Sequence, residues 1–301
     1  MRRALKWIVV AIAVLALVLA AAFAGAVWMG ERKMQRMVDA KVVPVPFAKD
    51  AAAIRRGKYL FETRGCAQCH GADGGGRVHI DDPGGLYVKT PDITTGRGGV
   101  VANYDEGDWV RTVRRGVDPS GRPLIAMPSE DFSRMSDADL AALVAYVRSL
   151  PPVAGSGPEI RLPLLVKALY GLGLVRDAAE KIDPREPPSP AVPEGPTPEY
   201  GRYVAQACVG CHRADFSGGR IDGAPPDWPP AARLAPGPGS AMGRYASLAQ
   251  FAAMMRTGKR PDGTAVSPVM PFASLGNLDD TDLAALYAYL STLPVPRAAG
   301  R

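Results

Sequence analysis

Hydrophobic positions along this chain fall into one continuous run followed by two spaced patterns that copy each other. Trp7 to Met29 is 23 residues without a charge. At 1.5 Å per residue it is long enough to cross a bilayer core of about 30 Å. Trp7 and Trp28 bracket the run, as aromatic residues do at membrane interfaces. Ala24-Gly25-Ala26 offers a signal-peptide cleavage site, but the run is longer than an h-region and continues past it. A retained anchor is therefore the expectation. Later, Leu140, Leu143, Val144, Val147 and Leu150 recur at helical spacing, behind the capping signature Ser136-x-x-Asp139 and ahead of Pro151-Pro152. Leu283, Leu286, Tyr287, Leu290 and Leu293 repeat that spacing, behind Asp279-x-x-Asp282 and ahead of Pro294. Ala51–Glu62 reads as a short helix as well.

The repetition sets the domain plan. Gly116 and Gly121 return as Gly258 and Gly263, and Tyr146 returns as Tyr289, so the offset barely changes over a whole domain. The expected organisation is an anchor or signal segment over residues 1–30, a first domain over 51–153, a connector over 154–196 and a second domain over 197–296. The connector is proline-rich, which fixes φ and removes backbone donors, so it reads as a stiff spacer. Within it Leu162–Val175 is apolar and too short to span a membrane. It is expected to form a helix packed between the lobes. A docking edge for a partner or for the membrane surface is the alternative.

Charge changes the picture by exclusion. The formal net charge is +6, but residues 1–50 hold eight basic and three acidic residues, and residues 51–153 hold thirteen of each. The excess sits beside the apolar run and not on a domain face, so the footprint of a nucleic-acid binder is missing.

Candidate chemistry lies at the four cysteines. Cys66-Ala67-Gln68-Cys69-His70 and Cys208-Val209-Gly210-Cys211-His212 use all of them. C-x-x-C-H reads as a c-type haem attachment site. Two thiols on one turn add to the vinyl groups along one haem edge, and the adjacent histidine meets the iron as proximal ligand. A thioredoxin-like site or half a zinc site would not require the histidine after each pair, and zinc would gather its ligands in one place. Each lobe also offers a Met-Pro pair at a matching distance, Met127-Pro128 and Met270-Pro271. Their thioethers are the candidate sixth ligands. Met135, Met242, Met254 and Met255 read as core filler, and His79, without a counterpart in the second lobe, as a surface-loop histidine.

Each lobe resembles a class I c-type cytochrome domain. The 50–296 span resembles the cytochrome subunits of membrane-bound alcohol and gluconate dehydrogenases, through Thr90-Pro91-Asp92-Ile93-Thr94, the Arg115-Gly116 to Gly121-Arg122 stretch before Met127-Pro128, and Leu283-x-x-Leu286-Tyr287-Ala288-Tyr289. That resemblance implies an all-α fold after the N-terminal helix, with terminal helices crossing at Gly57 with Tyr146 and at Gly201 with Tyr289. It implies two covalently bound haem c groups on Cys66, Cys69, Cys208 and Cys211, with iron held by His70, Met127, His212 and Met270. A proline carbonyl would hold each proximal histidine, with Pro83, Pro91, Pro226, Pro229 and Pro230 as candidates. The expected role is single-electron transfer outside the cytoplasm of a bacterium, from a dehydrogenase or quinol toward a terminal oxidase, on the inner membrane with the haem domains in the periplasm. The alternatives are a dihaem peroxidase or thiosulfate dehydrogenase, or the dihaem subunit of a haem–copper oxidase.

Overall fold

The computed structural model describes residues 2–221, 224, 225 and 227–294, and 47% of those residues are helical. Helix α1 (Arg2–Met34) contains the whole apolar run and is long and apolar enough to cross a membrane. The first lobe carries α2 (Ala51–Thr63), α3 (Cys66–His70), α4 (Glu106–Arg115) and α5 (Asp137–Ser149). The connector carries α6 (Leu164–Gly171) and α7 (Ala178–Lys181). The second lobe carries α8 (Pro198–Val204), α9 (Val209–His212), α10 (Leu248–Thr257), α11 (Phe272–Leu275) and α12 (Asp280–Thr292).

Each lobe is organised by its first and last helices. Asp50 accepts the Ala53 N–H at 2.9 Å and starts α2, while Ser136 accepts the Asp139 N–H and starts α5. The two cross where Gly57 lets the backbones meet: a Cβ there would overlap the Ala142 carbonyl and come within 2.7 Å of Tyr146 Cβ. Gly201 of α8 meets Ala285 and Tyr289 of α12 in the same way. The predicted apolar faces point inward, with Leu140, Leu143, Val144, Val147 and Leu150 buried in one lobe and Leu283, Leu286 and Leu290 in the other. Leu60 and Phe61 of α2 and Trp109 and Val113 of α4 complete the first core. Tyr200, Val204, Phe251 and Met255 complete the second.

Three features depart from the sequence pattern. Helices α4 and α10 form where the sequence reading placed no element; α4 is rich in charge, buries Trp109, Val110 and Val113, and is set by a full capping box between Asp105 and Asp108. The first lobe also holds a three-stranded antiparallel sheet of β1 (Val78–Asp81), β2 (Tyr87–Lys89) and β3 (Glu159–Arg161). The connector supplies β3, pairing Val88 with Ile160. The lobe also draws Val45 into its core from before residue 51.

The connector helix α6 is not seated between the lobes as expected but packs against the end of α1. Small residues make that close packing possible: a Cβ on Gly171 would come within 2.6 Å of Gly30 N. Arg36 then grips Asp177 with two bonds of 2.6 and 2.9 Å and reaches Tyr170 Oη at 2.7 Å. Lys33 meets Glu180 at 2.9 Å. Burial alone would lower the Arg36 pKa, but its bonds to Asp177 outweigh that and raise it.

Candidate haem sites

Both motifs form short helical turns directly after the first helix of their lobe. Cys66 and Cys208 border the apolar cores, and burial pushes their thiols up to about 12 and about 11 respectively. All four cysteines are free of disulfides. Met127 and Met270 are half-buried and border the same cores as the first cysteine of their own lobe.

The histidines are held by backbone. His70 Nδ1 donates to the Pro91 carbonyl at 3.0 Å, and His212 Nδ1 donates to the Ala232 carbonyl at 2.7 Å. A carbonyl can only accept, so the proton sits on Nδ1 and Nε2 keeps its lone pair. Burial lowers the pKa of both rings, against the opposing effect of the carbonyl bond, and so favours the neutral imidazole that binds metals.

Of the five candidate prolines Pro91 takes this part, and Pro226 lies outside the described residues. The second lobe uses Ala232, which a proline search could not find. An alignment of Gly96 with Gly237 would have placed it opposite Pro91. Paired backbone fixes each carbonyl. Thr90 N donates to Arg77 O at 2.9 Å, and Ala231 and Gly219 exchange bonds of 2.8 and 2.9 Å. Thr90 Oγ1 also donates to the Cys69 carbonyl at 2.6 Å, tying the first motif to the same loop.

The chain leaves the motifs in an unusual conformation. Gly71 has φ 81 and ψ 157 after His70, and Arg213 has φ 67 and ψ 162 after His212. That region is nearly reserved for glycine. His79 lies on strand β1 and not in a loop, with Nε2 3.8 Å from Cys69 Sγ.

Each motif rests on the opposite lobe. Helix α3 touches α11, the turn after Met270-Pro271, and α9 touches the 3-10 turn Ser129–Asp131 after Met127-Pro128. Asp131 lies against Gly210, and burial, with the charge of Glu130, pushes its carboxyl up to about 7. Two thiols and a neutral imidazole with a free Nε2, presented on one turn, fit a macrocycle attached at one edge with its metal facing the ring.

A family model described as Cytochrome c matches residues 54–151 and, a second time, residues 199–294. The chain belongs to the cytochrome c family. Cytochrome c domains carry covalently bound haem c, and the donor set above suits it. This cytochrome is 29% identical over 273 residues to the gluconate 2-dehydrogenase cytochrome c subunit of Pantoea cypripedii, covering 80% of this chain and 60% of that one. It is 28% identical over 279 residues to the fructose dehydrogenase cytochrome subunit of Gluconobacter japonicus, covering 86% and 56%. It is 30% identical over 289 residues to the cytochrome c subunit of the quinone alcohol dehydrogenase of Gluconacetobacter polyoxogenes, covering 83% and 58%. The cytochrome thus spans little more than half the length of these relatives. All three are named as cytochrome subunits of dehydrogenases.

Proposed function

We propose that this cytochrome is a membrane-anchored dihaem electron carrier, passing single electrons from a dehydrogenase or quinol toward a terminal oxidase on the periplasmic side of a bacterial inner membrane. The observation that carries the reading is the repeated site: a C-x-x-C-H turn in each lobe whose histidine Nδ1 is held by a backbone carbonyl. Cys66 and Cys69 hold one group, Cys208 and Cys211 the other. When bound, haem iron supplies a reversible one-electron couple. His70 and His212 would each offer Nε2 as one iron ligand. Met127 and Met270 would offer a soft thioether as the second, and such ligation would raise the potential. With both ligands in place neither iron would keep a position for substrate, which favours a carrier over a peroxidase-like enzyme. Helix α1 supplies the anchor, and its apolar surface supports that reading because none of its most apolar stretch is buried by the rest of the chain.

Spectroelectrochemical titration of the purified full-length protein tests the carrier reading. Two reversible one-electron waves are expected, with no rapid carbon monoxide binding to the reduced form. A haem that binds carbon monoxide rapidly would have an open face, and the enzyme alternative would replace the carrier.

A further inference from the structure

We propose that α6 and the turn after it form a second, interfacial membrane contact, seated on the acyl boundary of the bilayer beside the anchor. The inference rests on the reading of α1 as the anchor. Four large apolar side chains project from this short segment: Leu164, Leu165, Leu172 and Leu174 are 59, 62, 58 and 71% exposed. Elsewhere beyond residue 45, among the described residues, only Val78, Trp228 and Leu248 are comparably large, apolar and exposed, and each stands alone in sequence. A cluster of this kind marks a contact surface, whereas single exposed residues need no explanation.

The occupant is argued from continuity with α1. Leu164 shares a surface hollow with Phe23, Ala24, Val27, Trp28 and Glu31. At the other end of α6, Gly171 lies against Ala26 and Gly30. Both ends of α6 therefore stay at the level where the apolar run finishes at Met29 and the charged residues begin. That is the depth at which a membrane gives way to water, and an exposed Trp28 suits it. Much of the polar side of the same junction is satisfied within the protein. Arg36 pairs with Asp177, Lys33 with Glu180, and Lys167 with Glu31 at 2.9 Å. Arg32 lies over the Trp28 ring and Arg176 is exposed beside the turn, so the contact is chiefly apolar, with these two cations free to meet anionic headgroups. At eight residues, or about 12 Å, α6 is too short to enter as a span. Clamped to the anchor and lying on the surface, it would hold the two lobes at one height and orientation above the membrane.

The test places the photo-crosslinker p-benzoylphenylalanine singly at Leu165 and at Leu172 of the full-length, haem-loaded protein. Leu15 within the anchor and Asp262 on a far exposed loop serve as references. Each protein is reconstituted in phosphatidylethanolamine–phosphatidylglycerol vesicles, irradiated in low and in high salt, and analysed by mass spectrometry. Phospholipid adducts at 15, 165 and 172 but not at 262, persisting in high salt, are expected. Adducts at 15 with none at 165 and 172 would overturn the interfacial contact while leaving the anchor in place. Crosslinks from 165 and 172 to a second copy of the chain would overturn it in favour of self-association. An absence of adducts at 15 would remove the anchor reading, and this proposal with it.

Discussion

The Tyr59 hydroxyl donates a 2.8 Å hydrogen bond to Asp282 Oδ2, joining the first helix of one lobe to the last helix of the other. The same hydroxyl accepts the Asp279 N–H at 3.1 Å. The duplicate runs the other way: Tyr203 donates to Asp139 at 2.6 Å and accepts the Ser136 N–H at 3.1 Å. Each lobe thus completes the helix cap of its neighbour. In an isolated capping box the N3 carboxylate would bend back to that N–H itself. Here a tyrosine from the opposite lobe stands between them, and the N3 carboxylate is freed for other partners. Asp139 spends that freedom on Arg56, with bonds of 2.9 and 3.1 Å.

Removing these hydroxyls should loosen the lobes without emptying them. Tyr203→Phe leaves the buried Asp139 carboxylate without one donor and the Ser136 N–H without its acceptor, at a cost on the order of 1–3 kcal/mol. Tyr59→Phe does the same to Asp282 and Asp279. Calorimetry should show earlier melting for each variant, and the double variant should split into two transitions. Burial alone would raise the Asp139 pKa, but the bonds from Arg56 and Tyr203 outweigh it and hold the carboxyl below its usual range. A lowered carboxylate stabilises the fold fully above its unfolded value near about 4 and loses that contribution as pH falls through the lowered value. Separation of the lobes should therefore be most advanced below about pH 4.

Arg213 is a site where a substitution should help. Its φ of 67 and ψ of 162 lie in a region that costs a side chain on the order of 1–3 kcal/mol, and the first lobe has Gly71 there. Arg213→Gly should raise the melting temperature of the second lobe by a few degrees, with the haem spectrum unchanged. A fall in melting temperature would mean that the arginine side chain contributes more than its backbone strain costs.

Much of this arrangement was legible in the sequence, and the limits have physical causes. The terminal helices and the two motifs rest on residues close together in sequence and on a repeated offset, and the glycine–tyrosine crossings were legible through the resemblance to class I cytochrome domains. The tyrosine-closed caps join residues 223 apart, such as Tyr59 and Asp282, and no local period records them. The carbonyl at Ala232 was hidden because any residue can supply a backbone acceptor, so side-chain identity carries no signal there. The seat of α6 on α1 depended on Gly30 and Gly171, which look like ordinary glycines until the helices are placed together.

The proposed methionine ligands make a paired prediction. Oxidised protein should show the weak near-infrared band of Met–Fe(III) ligation. Met127→Ala and Met270→Ala should each remove about half of it and lower one potential, because the two sites are equivalent by repeat position. If either variant leaves both the band and the potentials untouched, that methionine is packing and not a ligand.

Intact mass of the purified chain, alongside the pyridine haemochrome spectrum, tests the central reading most directly. Two covalent haems per chain are predicted, with Cys66→Ala and Cys208→Ala each disrupting the attachment of one. A mass corresponding to a single haem would contradict the account, because one of the two motifs would then be a relic of duplication and not a redox centre.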